Sequence, residues 1–168
     1  MTEQQRYTVL ETVRLDPTVE LREYAACTVA DVVVQGDLER AANAGFGPLV
    51  SYISGHKLAM TAPVLQESAP QPGSWLVSFV LPGGELPEAY PLPEDSRVCL
   101  REFPAHRAMA LRWSGRWTEG ALARRTRELL DVVAEAGLTP IGEVRWARYD
   151  PPWTPPFMRR NEVIVNVS

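Results

Sequence analysis

The feature that most constrains this fold is a repeat. "VELREYAACTVADVVVQG", ending at Gly36, aligns without a gap on "VCLREFPAHRAMALRWSG", ending at Gly115. Leu21-Arg22-Glu23-Tyr24 thereby falls on Leu100-Arg101-Glu102-Phe103. Each copy holds two strand-like stretches, and a helical signal follows each glycine. After Gly115, Thr118 is an N-cap residue with Glu119 in the first turn. Leu122, Leu129, Leu130 and Val133 form an apolar stripe at helical spacing, with Arg124–Glu128 and Arg127–Asp131 at i,i+4 on the solvent side. Gly137 stops this helix and Pro140 prevents its resumption. After Gly36, "GDLERAANAGFGPLVSYISG" contains Gly45, Gly47 and Pro48, which disfavour one continuous helix. The expectation there is a short helical turn over 37–44 and a second from about 46 to 54, burying Phe46, Leu49, Val50 and Ile53.

Strand-like sequence follows each helix: "KLAMTAPVLQ" and "SWLVSFVLP", then "EVRWARYDP" and "NEVIVNV". The fold class expected is α+β, in one domain over residues 1–168. Two pseudo-symmetric ββαββ halves, about 7–82 and 96–168, would form a distorted antiparallel eight-stranded barrel flanked by two helices. Short connections favour antiparallel pairing of neighbours.

Composition excludes several classes of partner. The net charge of −4 gives no basic field to attract nucleic acid or an anionic membrane. The polar start "MTEQQR" lacks the apolar region of a signal peptide, and no apolar run approaches the ~20 residues of a membrane span. The compartment expected is the cytoplasm. Cys27 and Cys99 are isolated, without metal-ligand spacing, and read as buried free thiols. Oligomeric state is not legible.

Catalytic signatures are missing, and no catalytic residue or bound metal is expected: there is no G-x-S-x-G, no H-E-x-x-H and no phosphate-binding glycine loop. His106 reads as a structural or surface residue of a strand. His56, beside Gly55, reads as exposed and is weighed only as a metal ligand. In "NEVIVNV", Glu162, Ile164 and Asn166 share one strand face, either solvent or the concave side of a groove; base rates favour solvent for Glu162. In "KLAMTAPV", alternation groups Leu58, Met60, Ala62 and Val64 on the core side and leaves Lys57 at the edge. Lys57 is the single lysine among 17 basic residues. "YDPPWTPPF" interleaves aromatics with four prolines, as a stiff segment that is either a packed crossover or a rim presenting Trp153 and Phe157 to a ligand.

"AGFGPLVSYISG", "KLAMTAPV" and "YDPPWTPPFMRRNEV", in this order, resemble the SOUL family of haem-binding proteins, with coverage from about Tyr7 to Val167. The resemblance implies the two-half barrel and non-covalent binding of haem or another tetrapyrrole, as a carrier, buffer or sensor. It implies an apolar groove with Phe46, Leu49 and Ile53 on the helix side, Lys57 and Met60 from the block that follows, and Arg159 (or Arg160) meeting a propionate. A wider likeness is to effector-binding domains of the gyrase-inhibitor-like kind. That likeness implies an organic cation or hydrophobic compound, bound or hydrolysed, with Glu162 in the central groove.

Overall fold

The computed structural model describes residues 3–151 and 153–168. In chain order the strands are β1 (Glu3–Gln4), β2 (Tyr7–Leu15), β3 (Thr18–Tyr24), β4 (Cys27–Gln35), β5 (Thr61–Ser68), β6 (Ser74–Val80), β7 (Cys99–Phe103), β8 (His106–Trp113), β9 (Pro140–Arg148) and β10 (Asn161–Val167). Helix α1 (Ala41–Gly55) follows β4, and α2 (Glu119–Glu135) follows β8. The α+β class is as expected. Among the described residues the strands number ten rather than eight, β1 and β2 being additional.

These elements form two compact units. The first unit comprises the segment ending at Arg6 together with Ala25–Ala105; the second comprises Tyr7–Tyr24 with His106–Ser168. In the first unit the strand order is β5-β6-β4-β7, all antiparallel, with β1 added parallel to β5. In the second unit the order is β2-β3-β8-β10-β9, again antiparallel. Among the described residues no ladder joins the end strands of either unit, so neither unit is a closed barrel by itself.

Strand partners also depart from the neighbour rule. The two-residue links Ala25-Ala26 and Pro104-Ala105 do not turn hairpins: β3 pairs with β8, and β7 pairs with β4. The registers correspond residue for residue. Tyr24 lies opposite His106 as Phe103 lies opposite Cys27, and Arg22 lies opposite Ala108 as Arg101 lies opposite Val29. Arg22 and Arg101, the arginines of the repeated Leu-Arg-Glu, therefore occupy corresponding positions in the two units.

Helix α2 forms where its signals stand. Thr118 Oγ1 accepts from the Ala121 amide at 3.1 Å. Leu138 N–H returns to Val133 O and Gly137 N–H to Ala134 O, with Gly137 at φ +74°, a left-handed cap that glycine adopts without strain. The buried stripe is Leu122, Leu129, Val132 and Val133. Val132 replaces the expected Leu130, which is 36% exposed. On this helix Arg125 pairs with Glu128, at i,i+3, and Glu135 with Arg14 of β2.

Helix α1 corrects the sequence reading, because it is continuous through Gly45, Gly47 and Pro48. Pro48 and Gly45 are each accommodated. Pro48 removes only the hydrogen bond to the Ala44 carbonyl, and Ala44 lies on the exposed side, where water can satisfy it. Gly45 is buried against the sheet: a Cβ there would lie 2.9 Å from Val32 Cγ1 and 3.0 Å from Val77 Cβ. The missing side chain lets the helix approach β4 and β6 closely. Leu49, Tyr52 and Ile53 then pack with Val32, Val77 and Phe79 in the core of this unit.

The alternation assigned to "KLAMTAPV" is also corrected. The strand begins only at Thr61, and its pairing with β6 shifts register between Thr61 and Val64. The buried residues of this strand are Thr61, Pro63, Leu65 and Gln66, while Met60 is 40% exposed. The two cysteines form no disulfide; Cys27 is buried, but Cys99 is exposed. Among the described residues no helix is long and apolar enough to cross a membrane.

Candidate functional site

The face of the second unit's sheet opposite α2 carries the chain's most concentrated charge chemistry. Register places Glu162 (β10) beside Arg112 (β8) and Ala147 (β9), and places Arg22 and Glu20 (β3) beside Ala108 and Ala110 (β8). The three alanines leave space for the long side chains next to them. Glu162 is fully buried and Arg22 is 1% exposed, so the solvent reading of Glu162 is overturned.

Glu162 is saturated with donors. Its Oε1 accepts from Arg22 Nη1 at 2.9 Å and from the Tyr149 hydroxyl at 2.6 Å. Its Oε2 accepts from Arg22 Nη2 at 2.5 Å and from Arg112 Nε at 3.1 Å. Arg22 also donates to Glu20 through Nε at 3.0 Å and to the Tyr24 hydroxyl at 2.8 Å, and its guanidinium lies 4.1 Å from the Tyr7 ring centroid. Two arginines and two glutamates thus balance. Among the described residues no donor on Arg22 is left orphaned, which is the condition for burying such groups.

Protonation follows from these contacts. Burial alone would raise the Glu162 carboxyl; the Arg22 bonds and charge outweigh it, and the carboxyl sits below its ordinary value. Burial pushes the Tyr24 hydroxyl up to about 12, against the pull of Arg22. Burial, reinforced by Glu162, raises Tyr149 well above its ordinary value. The depressed carboxyl contributes stability above pH ~4 that is lost as pH falls through its folded-state value. The two tyrosines contribute stability below pH ~10 that is lost as pH rises above it, because only the unfolded chain ionises them there. Melting temperature should therefore be flat between these limits and fall on both sides. Tyr24→Phe should reduce the alkaline loss and leave the acid limb in place; an unchanged alkaline limb in that variant contradicts the assignment.

The first unit holds a smaller counterpart. Arg101 Nε donates to Asp31 Oδ2 at 2.7 Å, and Ser78 Oγ donates to Asp31 Oδ1 at 2.5 Å. Both Leu-Arg-Glu arginines therefore anchor a carboxylate. Sequence reasoning missed Arg22, Arg112 and Tyr149; the repeat itself was the signal that could have found Arg22.

The residues expected to bind a ligand are distributed as follows. In the first unit Leu49 and Ile53 point into the core, which removes them from an open groove. Phe46 is 40% exposed and meets Phe79 edge to face at 5.4 Å. Lys57 is exposed just past the end of α1, with a left-handed φ of +55°, and Met60 is exposed three residues on. His56 is half-buried, tilted against Tyr52 with ring centroids 5.2 Å apart. In the second unit Trp153 is 84% and Phe157 78% exposed, so neither packs as a crossover residue. Arg159 is half-buried and donates to the Thr154 carbonyl at 2.8 Å. His106 stacks on Tyr24 with centroids 5.0 Å apart, as a structural residue. A cleft beside Gln5, Cys27 and Thr61 has a free volume of about 20 Å³, enough for one water-sized molecule.

Comparison with known proteins adds the family. The family model described as SOUL heme-binding protein matches residues 2–166. The chain belongs to the SOUL family. No curated protein matches it. Among solved structures, the C-terminal domain of EcmrR superposes with a TM-score of 0.71 at 14% identity, covering 89% of this chain and 96% of that one. A hydrolase from Listeria innocua gives a TM-score of 0.59 at 14% identity, covering 89% and 91%. SAV2435 bound to tetraphenylphosphonium gives 0.53 at 11% identity, covering 89% and 93%. At these identities the likeness is one of fold. SAV2435, which shares this architecture, is bound to a compound unlike a tetrapyrrole, so the site of this SOUL chain must be argued from its own residues.

Proposed function

We propose that this SOUL protein binds haem or another tetrapyrrole non-covalently, as a cytoplasmic carrier, buffer or sensor, at the exposed edge of α1 formed by Phe46, Lys57 and Met60. The observation that carries the reading is the family match over nearly the whole chain. The exposed apolar Phe46 and Met60, with the cation of Lys57 between them in sequence, support it. Leu49 and Ile53 contribute from beneath, by holding α1 on its sheet.

The division of labour follows from magnitudes. Covering about 400 Å² of porphyrin face contributes on the order of 10 kcal/mol before association costs. A charge-assisted bond from Lys57 to a propionate adds only about 1.5–3 kcal/mol. Recognition in this reading rests on the porphyrin faces and carboxylates, with no iron ligand required of the protein. Metal-free protoporphyrin should bind within a few-fold of haemin. Phe46→Ala or Met60→Ala should weaken binding about tenfold or more, and Lys57→Ala less. Absorbance titration checks both; binding that is indifferent to Phe46 and Met60 refutes the site.

The organic-cation alternative would use Glu162, and charge opposes it. That carboxylate already accepts four hydrogen bonds from two arginines and a tyrosine. A cation would have to displace a buried guanidinium. We further propose that the halves, about 7–82 and 96–168, descend from one ββαββ unit whose first strands were exchanged; the corresponding registers of β3 with β8 and β7 with β4 support this.

A further inference from the structure

We propose that the helix-bearing face of the second unit's sheet carries an oxyanion site centred on Arg148, taking the carboxylate or phosphate group of a small ligand. Arg148 ends β9 and lies opposite Asn161, which lies opposite Trp113, so the three share a sheet face. Trp146, two residues earlier on that face, donates from its indole to Thr126 of α2 at 3.2 Å, which identifies it as the helix side. The Arg148 guanidinium lies 4.1 Å from the Trp117 ring centroid, and Trp117 stacks on Trp113 with centroids 6.4 Å apart and planes 12° apart. The indole face thereby sets the plane of the guanidinium.

What this cluster lacks is an acceptor. Arg22, Arg101, Arg112, Arg125 and Arg160 each meet a carboxylate. Among the described residues the Arg148 side chain forms no ion pair and no hydrogen bond, and its contact is the Trp117 ring. Its Nε and the indole Nε1 atoms of Trp113 and Trp117 are buried N–H groups without a partner. Burial, and then the neighbouring charge of Arg159, bring the Arg148 guanidinium down to about 10, so it remains a cation at neutral pH. A half-buried guanidinium beside a second cation is unfavourable unless an anion joins it, and a planar fork of donors is the geometry that carboxylates and phosphates accept. The site uses none of Phe46, Lys57 and Met60, so it stands apart from the tetrapyrrole reading.

Tryptophan fluorescence and thermal shift, with inorganic phosphate, benzoate and phenyl phosphate as probes, test the proposal. The expected result is a saturable fluorescence change and a raised melting temperature with at least one probe. Benzoate alone would identify a carboxylate site and the phosphates alone a phosphate site. Arg148→Gln should weaken the response about tenfold or more, while Phe46→Ala leaves it within about twofold. Without any probe, Arg148→Gln should melt no lower than the parent, since it removes a charge without a counter-ion. The proposal is overturned by absence of saturation with all three probes or by an unchanged response in Arg148→Gln. It is equally overturned by a lower melting temperature, or failure to fold, of that variant without probe, because Arg148 would then serve the packing of Trp117. Failure of haemin to bind affects none of these readouts.

Discussion

Arg22→Ala is expected to destabilise the protein by about 3–5 kcal/mol, a large share of a typical domain's stability. The substitution leaves Glu162 fully buried with Tyr149 and Arg112 as its remaining donors, and Arg112 is partly exposed. It also orphans the Glu20 and Tyr24 oxygens that Arg22 serves. The loss belongs to an uncompensated buried charge more than to the worth of the ion pair. Replacing both partners, Arg22→Met with Glu162→Leu, should therefore recover part of the stability, because the uncompensated buried charge is gone while the Tyr24 and Tyr149 hydroxyls still lack their partners. Urea denaturation decides it through a shift in midpoint at constant slope. A loss below about 1 kcal/mol for Arg22→Ala would show that water reaches the network.

Two glycines of α1, two residues apart, should respond in opposite directions. Gly45→Val places a branched side chain where even a Cβ meets Val32 and Val77 at 2.9 and 3.0 Å. Those neighbours are short and β-branched, so they cannot swing aside, and a cost of about 2–3 kcal/mol is expected from overpacking. Gly47 has nothing within 4 Å of its Cβ position. Gly47→Ala should stabilise by about 0.5–1 kcal/mol, the ordinary helix preference. Equal effects at the two sites would contradict the close approach of α1 to its sheet.

These two cases also show what the sequence disclosed. Helix α2 was legible because Thr118 and Gly137 act locally, through bonds within one turn. Helix α1 was not, because Gly45 is required by residues in β4 and β6, and no local pattern announces a close approach. Leu130 was expected on the buried stripe, where the helix phase places Val132 instead. Met60 was misplaced because a register shift between Thr61 and Val64 breaks the period of two. Glu162 sat on the correct strand face, yet its burial depends on Arg22, 140 positions away. The Leu-Arg-Glu repeat held that information in a form that names the arginine but not its partner. The pairing of β3 with β8 and of β7 with β4 was illegible for the same reason: a two-residue link reads as a hairpin, and only the sheet decides otherwise.

One comparison tests directly whether this SOUL chain takes a flat tetrapyrrole at the α1 edge. Purified protein and its Phe46→Ala variant are titrated in parallel with haemin and with tetraphenylphosphonium. The account predicts a saturable Soret shift near one-to-one stoichiometry for haemin, weakened by about tenfold in the variant, and no saturable binding of the cation. Saturable binding of tetraphenylphosphonium, abolished by Glu162→Gln, together with only a non-saturating response to haemin, would contradict it.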